Sequence, residues 1–221
     1  MNFSGATVHR VVTDETRPST YHSPLRAQQA RETRQRILDA AVALFSDRGW
    51  SATTLKAVAE EAGTAVDTVY SAFESKVNLL MAAVDVAIVG DDEEDAMVDR
   101  PDFSLLGEGD RDQRIQAGVR YTIEVYQRSV QVLAALQEAS ASEPVAHERM
   151  VRYDQDRRNV MVAGFALIMD HPLPDELIDP VWAMVSPEVF VKLTTGRGWS
   201  VEQVEELFIH VVTTMTATAG S

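Results

Sequence analysis

The residues of this chain best placed to do chemistry lie in one stretch, TTLKAVAEEAGTAVDTVYSAFESK, residues 53–76. Two short helical patterns flank a tight Ala62-Gly63-Thr64 break, and a new helix start follows at Ser75-Lys76, the pattern of a helix-turn-helix. Gly63 suits the break because glycine tolerates φ > 0. The second short helix, residues 65–73, turns Val66, Asp67, Thr68 and Ser71 outward, with Tyr70 at the edge. A small helix face of this kind does not cleave or transfer anything. It offers hydrogen bonds and a methyl contact to base edges in a DNA major groove.

Other chemistries are poorly supplied. The chain has no cysteine, which removes disulfides, thiolate metal sites and cysteine nucleophiles. Glu143 with His147, and Glu206 with His210, are four residues apart on helical patterns, but neither pair has a clustered third ligand, so both read as solvated surface. Ser129, Ser140 and Ser142 lack a Gly-x-Ser-x-Gly context and spaced His/Asp partners. No glycine-rich phosphate loop occurs. No catalytic residue, metal or cofactor is therefore expected, and the chain is not read as an enzyme.

The elements that must hold the 53–76 stretch are helical. Residues 32–48 carry Ile37, Leu38, Ala41, Leu44 and Phe45 as one apolar stripe that braces the motif, and Gly49 is placed to end it. Trp50 is expected to pack on that stripe. Thr53 or Thr54 caps the next helix, whose inner face is Leu55, Val58, Ala59 and Ala62. Ser75 caps a fourth helix that continues to Gly90.

Helical period resumes over residues 111–141 and again over 143–169, where His171-Pro172-Leu173-Pro174 interrupts it. Asp179-Pro180 is expected to open the following helix, and Ser186-Pro187 either kinks it or starts another. Gly196-Arg197-Gly198 is a stop, and Ser200 with Gln203 forms a capping box for a last helix to about residue 218. No alternating strand pattern appears, so the fold class is all-α. The expected organisation is a polar disordered tail over 1–29, a helix-turn-helix domain over 30–90, an acidic connection over 91–110 and a second helical domain over 111–221.

The net charge of −14 is unevenly spread. Residues 1–80 carry nine Lys/Arg and nine Asp/Glu, while residues 81–221 carry eleven and twenty-five. A polyanion is steered to the first part, where Arg26, Arg31, Arg34 and Arg36 stand against Glu32, and is repelled by the rest. No apolar run reaches the ~20 residues a membrane helix needs, and the first residues lack a signal-peptide core, so a cytoplasmic protein without membrane partners is expected.

The segment resembles the DNA-binding domain of the tetracycline repressor (TetR) family. Thr53-Thr54, Ala62-Gly63-Thr64-Ala65, Thr68-Val69-Tyr70, Phe73 and Ser75-Lys76 follow the family's pattern, and RQRILDAAVALFSDRGW resembles its first helix. The second half is similar more loosely to the family's ligand-binding and dimerisation region, best from Val181-Trp182 to Trp199-Ser200.

The resemblance implies three helices plus a connecting fourth, followed by a helical ligand-binding and dimerisation domain. It implies phosphate contacts by Thr53, Thr54, Tyr70 and Lys76, with Arg34 able to reach the backbone. Val66, Asp67, Thr68 and Ser71 would read bases, and Lys56, Thr64 and Ala65 complete the expected DNA-contacting set.

The chain departs from the pattern where it has Ala65 in place of a capping serine. Thr64 with Asp67 fits S/T-x-x-D, so the cap is expected to move back one residue. Asp67 either caps or accepts from cytosine N4, and Val66 either meets a thymine methyl or sits exposed.

In the second half, Tyr121, Tyr126, Tyr153, Met161, Phe165 and Trp182 are the candidate lining of an effector cavity. The expectation is a ligand-responsive regulator, read as a repressor. It would bind double-stranded DNA at a near-palindromic operator as a homodimer formed through about residues 180–218, with an unidentified small molecule as effector and no cofactor. The alternatives are a ligand-binding protein of the same fold acting through protein partners, and a helical-bundle enzyme.

Overall fold

The computed structural model describes residues 24–91 and 97–217, with no strand among the described residues. The helices are α1 (Pro24–Ala52), α2 (Leu55–Glu61), α3 (Val66–Phe73), α4 (Lys76–Val89), α5 (Pro101–Ser104), α6 (Arg111–Ser140), α7 (Pro144–Met169), α8 (Asp175–Met184), α9 (Pro187–Arg197) and α10 (Val201–Thr216). Short 3-10 turns at Met97–Asp99 and Leu105–Gly107 flank α5. Most of the expected DDEED run and residues 1–23 of the expected tail lie outside the described residues.

Two boundaries differ from expectation, and at a third the structure selects one of the two expected alternatives. α1 starts at Pro24, so residues 24–29 belong to a helix and not to the polar tail. The segment PLRAQQARET is rich in strong helix formers, but its side chains are mostly exposed; propensity builds this part of α1 without any apolar period to signal it. α8 starts at Asp175 and carries Pro180 in its interior. Asp175 and Glu176 supply first-turn acids, and the carbonyl that Pro180 leaves unserved belongs to exposed Glu176, within reach of water. Ser186-Pro187 opens α9: the Ser186 hydroxyl accepts from the Val189 amide at 3.3 Å and Pro187 takes the first turn.

Two cores form. In the first, Ile37, Leu38 and Phe45 of α1, Val58 of α2, Val69 of α3 and Leu79 and Leu80 of α4 are all closed to solvent. Each fully buried side chain of this size contributes about 1.5–3 kcal/mol. The same core takes in Val132, Leu136 and Ala139 of α6 and Tyr153 of α7. The 91–110 segment thus interrupts the sequence pattern without dividing the packing.

The second core joins Ile115, Val119 and Ile123 of α6 to Ile168 of α7, Val181 of α8 and Phe208 and Val212 of α10. At about 1.5 Å per residue α6 is long enough to serve both. A capping box starts it: the Asp110 carboxylate accepts from the Gln113 amide at 2.9 Å, and the Gln113 side chain accepts from the Asp110 amide at 2.9 Å.

Candidate nucleic-acid interface and internal cavity

The turn between α2 and α3 closes through two backbone bonds. The Thr64 amide donates to the Ala59 carbonyl at 2.9 Å and the Gly63 amide to Glu60 at 3.2 Å, with Gly63 at φ 64°. This is a Schellman ending, and it explains why the residue after the helix cap is glycine. It also commits Thr64 to the end of α2. The expected cap shift to Thr64 does not occur: Ala65 is the N-cap of α3 and supplies no side-chain bond. Asp67 lies exposed in the first turn of α3, where an acid favours the positive helix end.

On α3, Asp67, Tyr70 and Ser71 are exposed, Thr68 is half-buried, and Val69 and Phe73 point into the core. Tyr70 exposes 52% of its surface, unusual for a tyrosine that no packing requires to be outside. The Ser71 hydroxyl donates to the Asp67 carbonyl at 2.8 Å, which leaves its oxygen able to accept. Val66 is half-buried and packs against the first core, so it does not simply sit exposed.

Other predicted contacts are already engaged within the protein. Thr53 is 1% exposed, and its hydroxyl lies 3.1 Å from the Leu44 carbonyl and 2.8 Å from that of Gly49. It ties the end of α1 to the start of α2 and presents nothing outward; the neighbouring Thr54 is the cap, accepting from the Ala57 amide at 3.1 Å.

Lys76 folds back over Trp50. Its Nζ donates to the Trp50 carbonyl at 2.5 Å and sits 4.0 Å from the ring centroid. Burial lowers the Lys76 pKa, against the opposing pull of Glu138 and Glu143. Arg34 lies over the Phe73 ring at 4.6 Å, bridging α1 and α3. Lys56 is exposed on α2, 3.8 Å from Glu60.

Trp50 stacks on Phe45 with centroids 6.2 Å apart, as expected. Sequence reasoning missed what holds its backbone. The Glu138 carboxylate, at the far end of α6, accepts from the Trp50 amide at 2.8 Å, the Ser51 amide at 3.2 Å and the Ser51 hydroxyl. These bonds, the Ser51 hydroxyl first, hold the Glu138 pKa below its ordinary value. Gly49 leaves room for the clamp: an added Cβ would stand 2.8 Å from the carboxylate oxygen, and its φ of 72° is one that L side chains rarely adopt. A residue 88 positions away in sequence thus fixes the entry to the motif.

A cavity of about 570 Å³ opens among α4, α5, α6, α7 and α8. Tyr121, Tyr126, Tyr153, Met161 and Phe165 line it. Trp182 does not; its ring lies 4.5 Å from the Arg157 guanidinium carbon. The Tyr126 hydroxyl donates to the Val185 carbonyl at 2.9 Å, and burial pushes its pKa up to about 12. Burial also raises that of Tyr153.

Arg149 and Arg157 line the cavity too, and neither is among the residues expected from the sequence. Their spacing was the available signal: Arg149, Tyr153 and Arg157 recur every four residues and share one face of α7. Arg149 Nη2 donates to Asp85 of α4 at 2.6 Å. The C-terminal end of α4, which also borders the cavity, is capped by Arg128 of α6, whose guanidinium donates to Ala87 at 3.0 Å and Ile88 at 2.7 Å.

Among the described residues no group of three or more His, Asp or Glu could hold a metal, and no helix is long and apolar enough to cross a membrane.

Residues 37–83 match the model of the family described as bacterial regulatory proteins, tetR family. The chain is 48% identical over 62 residues to the HTH-type transcriptional repressor KstR of Mycolicibacterium smegmatis, covering 28% of this chain and 30% of that one. It is 46% identical over 52 residues to the HTH-type transcriptional regulator AcrR of Shigella flexneri, covering 24% of each. The matched segment thus spans under a third of these curated relatives.

Solved structures extend the likeness of fold over most of the chain. A tetR-family transcriptional regulator from Streptomyces coelicolor aligns with a TM-score of 0.66 at 17% identity, covering 86% of this chain and 82% of that one. A TetR family member from Streptomyces coelicolor A3 aligns with a TM-score of 0.56 at 19% identity, covering 81% and 98%. The helix-turn-helix segment is thus similar in sequence to the tetR family of bacterial regulatory proteins, and the all-α architecture is similar in fold to solved structures over most of the chain.

Proposed function

We propose that the protein is a ligand-responsive transcriptional repressor that binds a near-palindromic operator as a homodimer in the cytoplasm. The observation that carries this reading is the closed α2–α3 turn with Asp67, Tyr70 and Ser71 exposed and Thr68 half-exposed, while Val69 and Phe73 are buried and Val66 packs on the first core. Thr68, Ser71 and Asp67 are then the base-reading groups, and Thr54, Lys56, Tyr70 and Arg34 the backbone contacts. Thr53 and Lys76 act one step back, holding the α1–α2 junction on which α2 stands. The near-half identity to repressors over this segment supports the same reading. Nothing in the geometry favours an enzyme, and a purely protein-binding role leaves the α3 face unexplained.

The dimer is assigned to α9 and α10, whose paired helices in two copies would form a four-helix contact and set two α3 helices roughly 34 Å apart. The cavity is the effector site. It borders the C-terminal end of α4, whose N-terminus follows directly on α3, so a ligand that shifts α4 changes the spacing of the reading helices and releases DNA.

The test is fluorescence anisotropy with labelled duplexes tiled across the DNA upstream of its own gene. The expected result is one site bound far more tightly than the rest, with affinity falling steeply as salt rises. Equal binding to every duplex would count against an operator-specific role.

A further inference from the structure

The cavity carries a polar signature that its apolar walls do not share. Val119, Phe165 and Ile168 form much of its surface. Yet Arg149 Nη1 and Arg157 Nε, on residues that line it, are buried without a hydrogen-bond partner among the described residues, and so is the neighbouring Trp182 Nε1. All three orphans are donors; no buried side-chain acceptor among the described residues is left over.

The acids around them do not meet this demand. Asp85 binds Arg149 through Nη2 at 2.6 Å, and Asp156 stands 4.0 Å from Nη1. Both carboxylates are 59% and 67% exposed, against 15% for the arginine side chain between them. Arg157 already gives Nη1 to the carbonyls of Trp182 and Val185 at 2.9 and 3.2 Å, and faces Asp154 electrostatically. Asp85, Asp156 and Glu188 sit toward water and Asp154 is half-buried, while the unspent donors sit inside.

We propose that the effector is an anionic amphipath: an apolar body carrying one carboxylate, which accepts from Arg149 and Arg157 while the body lies against the apolar wall. This rests on the reading of the cavity as the effector site. A carboxylate suits the site because it only accepts, and guanidinium–carboxylate bonds are charge-assisted. A cationic or donor-rich molecule would face two arginines with nothing to give them. Size also constrains the ligand. At about 30 Å³ per water-sized group, 570 Å³ takes roughly twenty non-hydrogen atoms, the range of a medium-chain or long-chain fatty acid.

The experiment titrates the full-length protein, without DNA, with dodecanoate, dodecanol and methyl dodecanoate by calorimetry. Dodecanoate is expected to bind once per chain and at least about tenfold more tightly than the alcohol or the ester. Arg149→Gln should bring the acid to within about threefold of the alcohol, and Arg149→Lys should keep most of the preference. Equal binding of all three probes, no binding of any, or an acid preference untouched in Arg149→Gln overturns the proposal; the wild-type comparison decides even if that variant fails to fold.

A second arm adds each probe to the protein–DNA complex. Acid-selective binding that leaves DNA bound keeps the ligand class and removes the effector role. Release of DNA by alcohol or ester as readily as by acid keeps the effector role and overturns the carboxylate.

Discussion

Lys76 separates two accounts of the same motif. Its place at the start of α4 suggests a phosphate contact, but its ammonium lies 2.5 Å from the Trp50 carbonyl and 4.0 Å from the centre of the indole ring. Replacing it by methionine keeps the apolar stem over Trp50 and removes only the charge. A hydrogen bond to a charged group is worth about 1.5–3 kcal/mol, taken at the low end for a half-buried pair, and a partly exposed cation–π contact adds about 0.5–1 kcal/mol.

The expected loss is about 2 kcal/mol. For a chain of this length that lowers Tm by about 4–8 °C, at about 2–4 °C per kcal/mol. Differential scanning calorimetry measures it. In parallel, anisotropy across a salt series gives the slope of log K against log salt, which should not change, since a lost phosphate contact would reduce it by about 0.9. An unaltered Tm with a slope smaller by one contact would refute the reasoning and return Lys76 to the DNA.

Three further outcomes follow from the same geometry. Thr53→Val, nearly isosteric, removes the hydroxyl that serves the buried Leu44 and part-buried Gly49 carbonyls and should cost about 1–3 kcal/mol by denaturant titration, again with no change in salt slope. Gly49→Ala must adopt φ 72°, ψ −173° and place a methyl 2.8 Å from the Glu138 carboxylate; a loss of about 1–3 kcal/mol is expected from backbone strain alone, and a Tm equal to wild type would show that Gly49 does not hold this strained conformation. Tyr126 is held neutral in the fold, with its pKa raised to about 12 from the ordinary 10.0. Its contribution is therefore complete below pH 10 and lost as pH rises from there towards 12, so Tyr126→Phe should flatten the fall in stability over that window.

Much of this was legible in the sequence because it is local. Ser75 caps α4 and Ser200 caps α10 with Gln203 as their types and places say they should, Gly63 ends α2, Gly49 breaks the helical path of α1, and the Ile37–Phe45 stripe forms the core. What could not be read was set by distant partners. Thr53 and Lys76 have types suited to phosphate, and only the fold shows that Leu44, Gly49 and Trp50 have taken them up. Glu138 looked like any exposed helix acid until α6 brought it to the α1–α2 junction. Arg149 and Arg157 share a helix face with Tyr153, but the sequence does not say whether that face meets water or a cavity. The start of α1 was missed for the opposite reason: it is built by propensity alone, and an apolar period is what the eye follows.

The central claim is that α3 reads a two-fold symmetric DNA site. Selection from a random duplex pool by the full-length protein, followed by sequencing, tests it most directly. The account predicts enrichment of two inverted half-sites about one helical turn apart, and loss of that enrichment when Thr68, Tyr70 and Ser71 are together replaced by alanine. A pool that stays random, or a motif that survives the triple replacement unchanged, would contradict it.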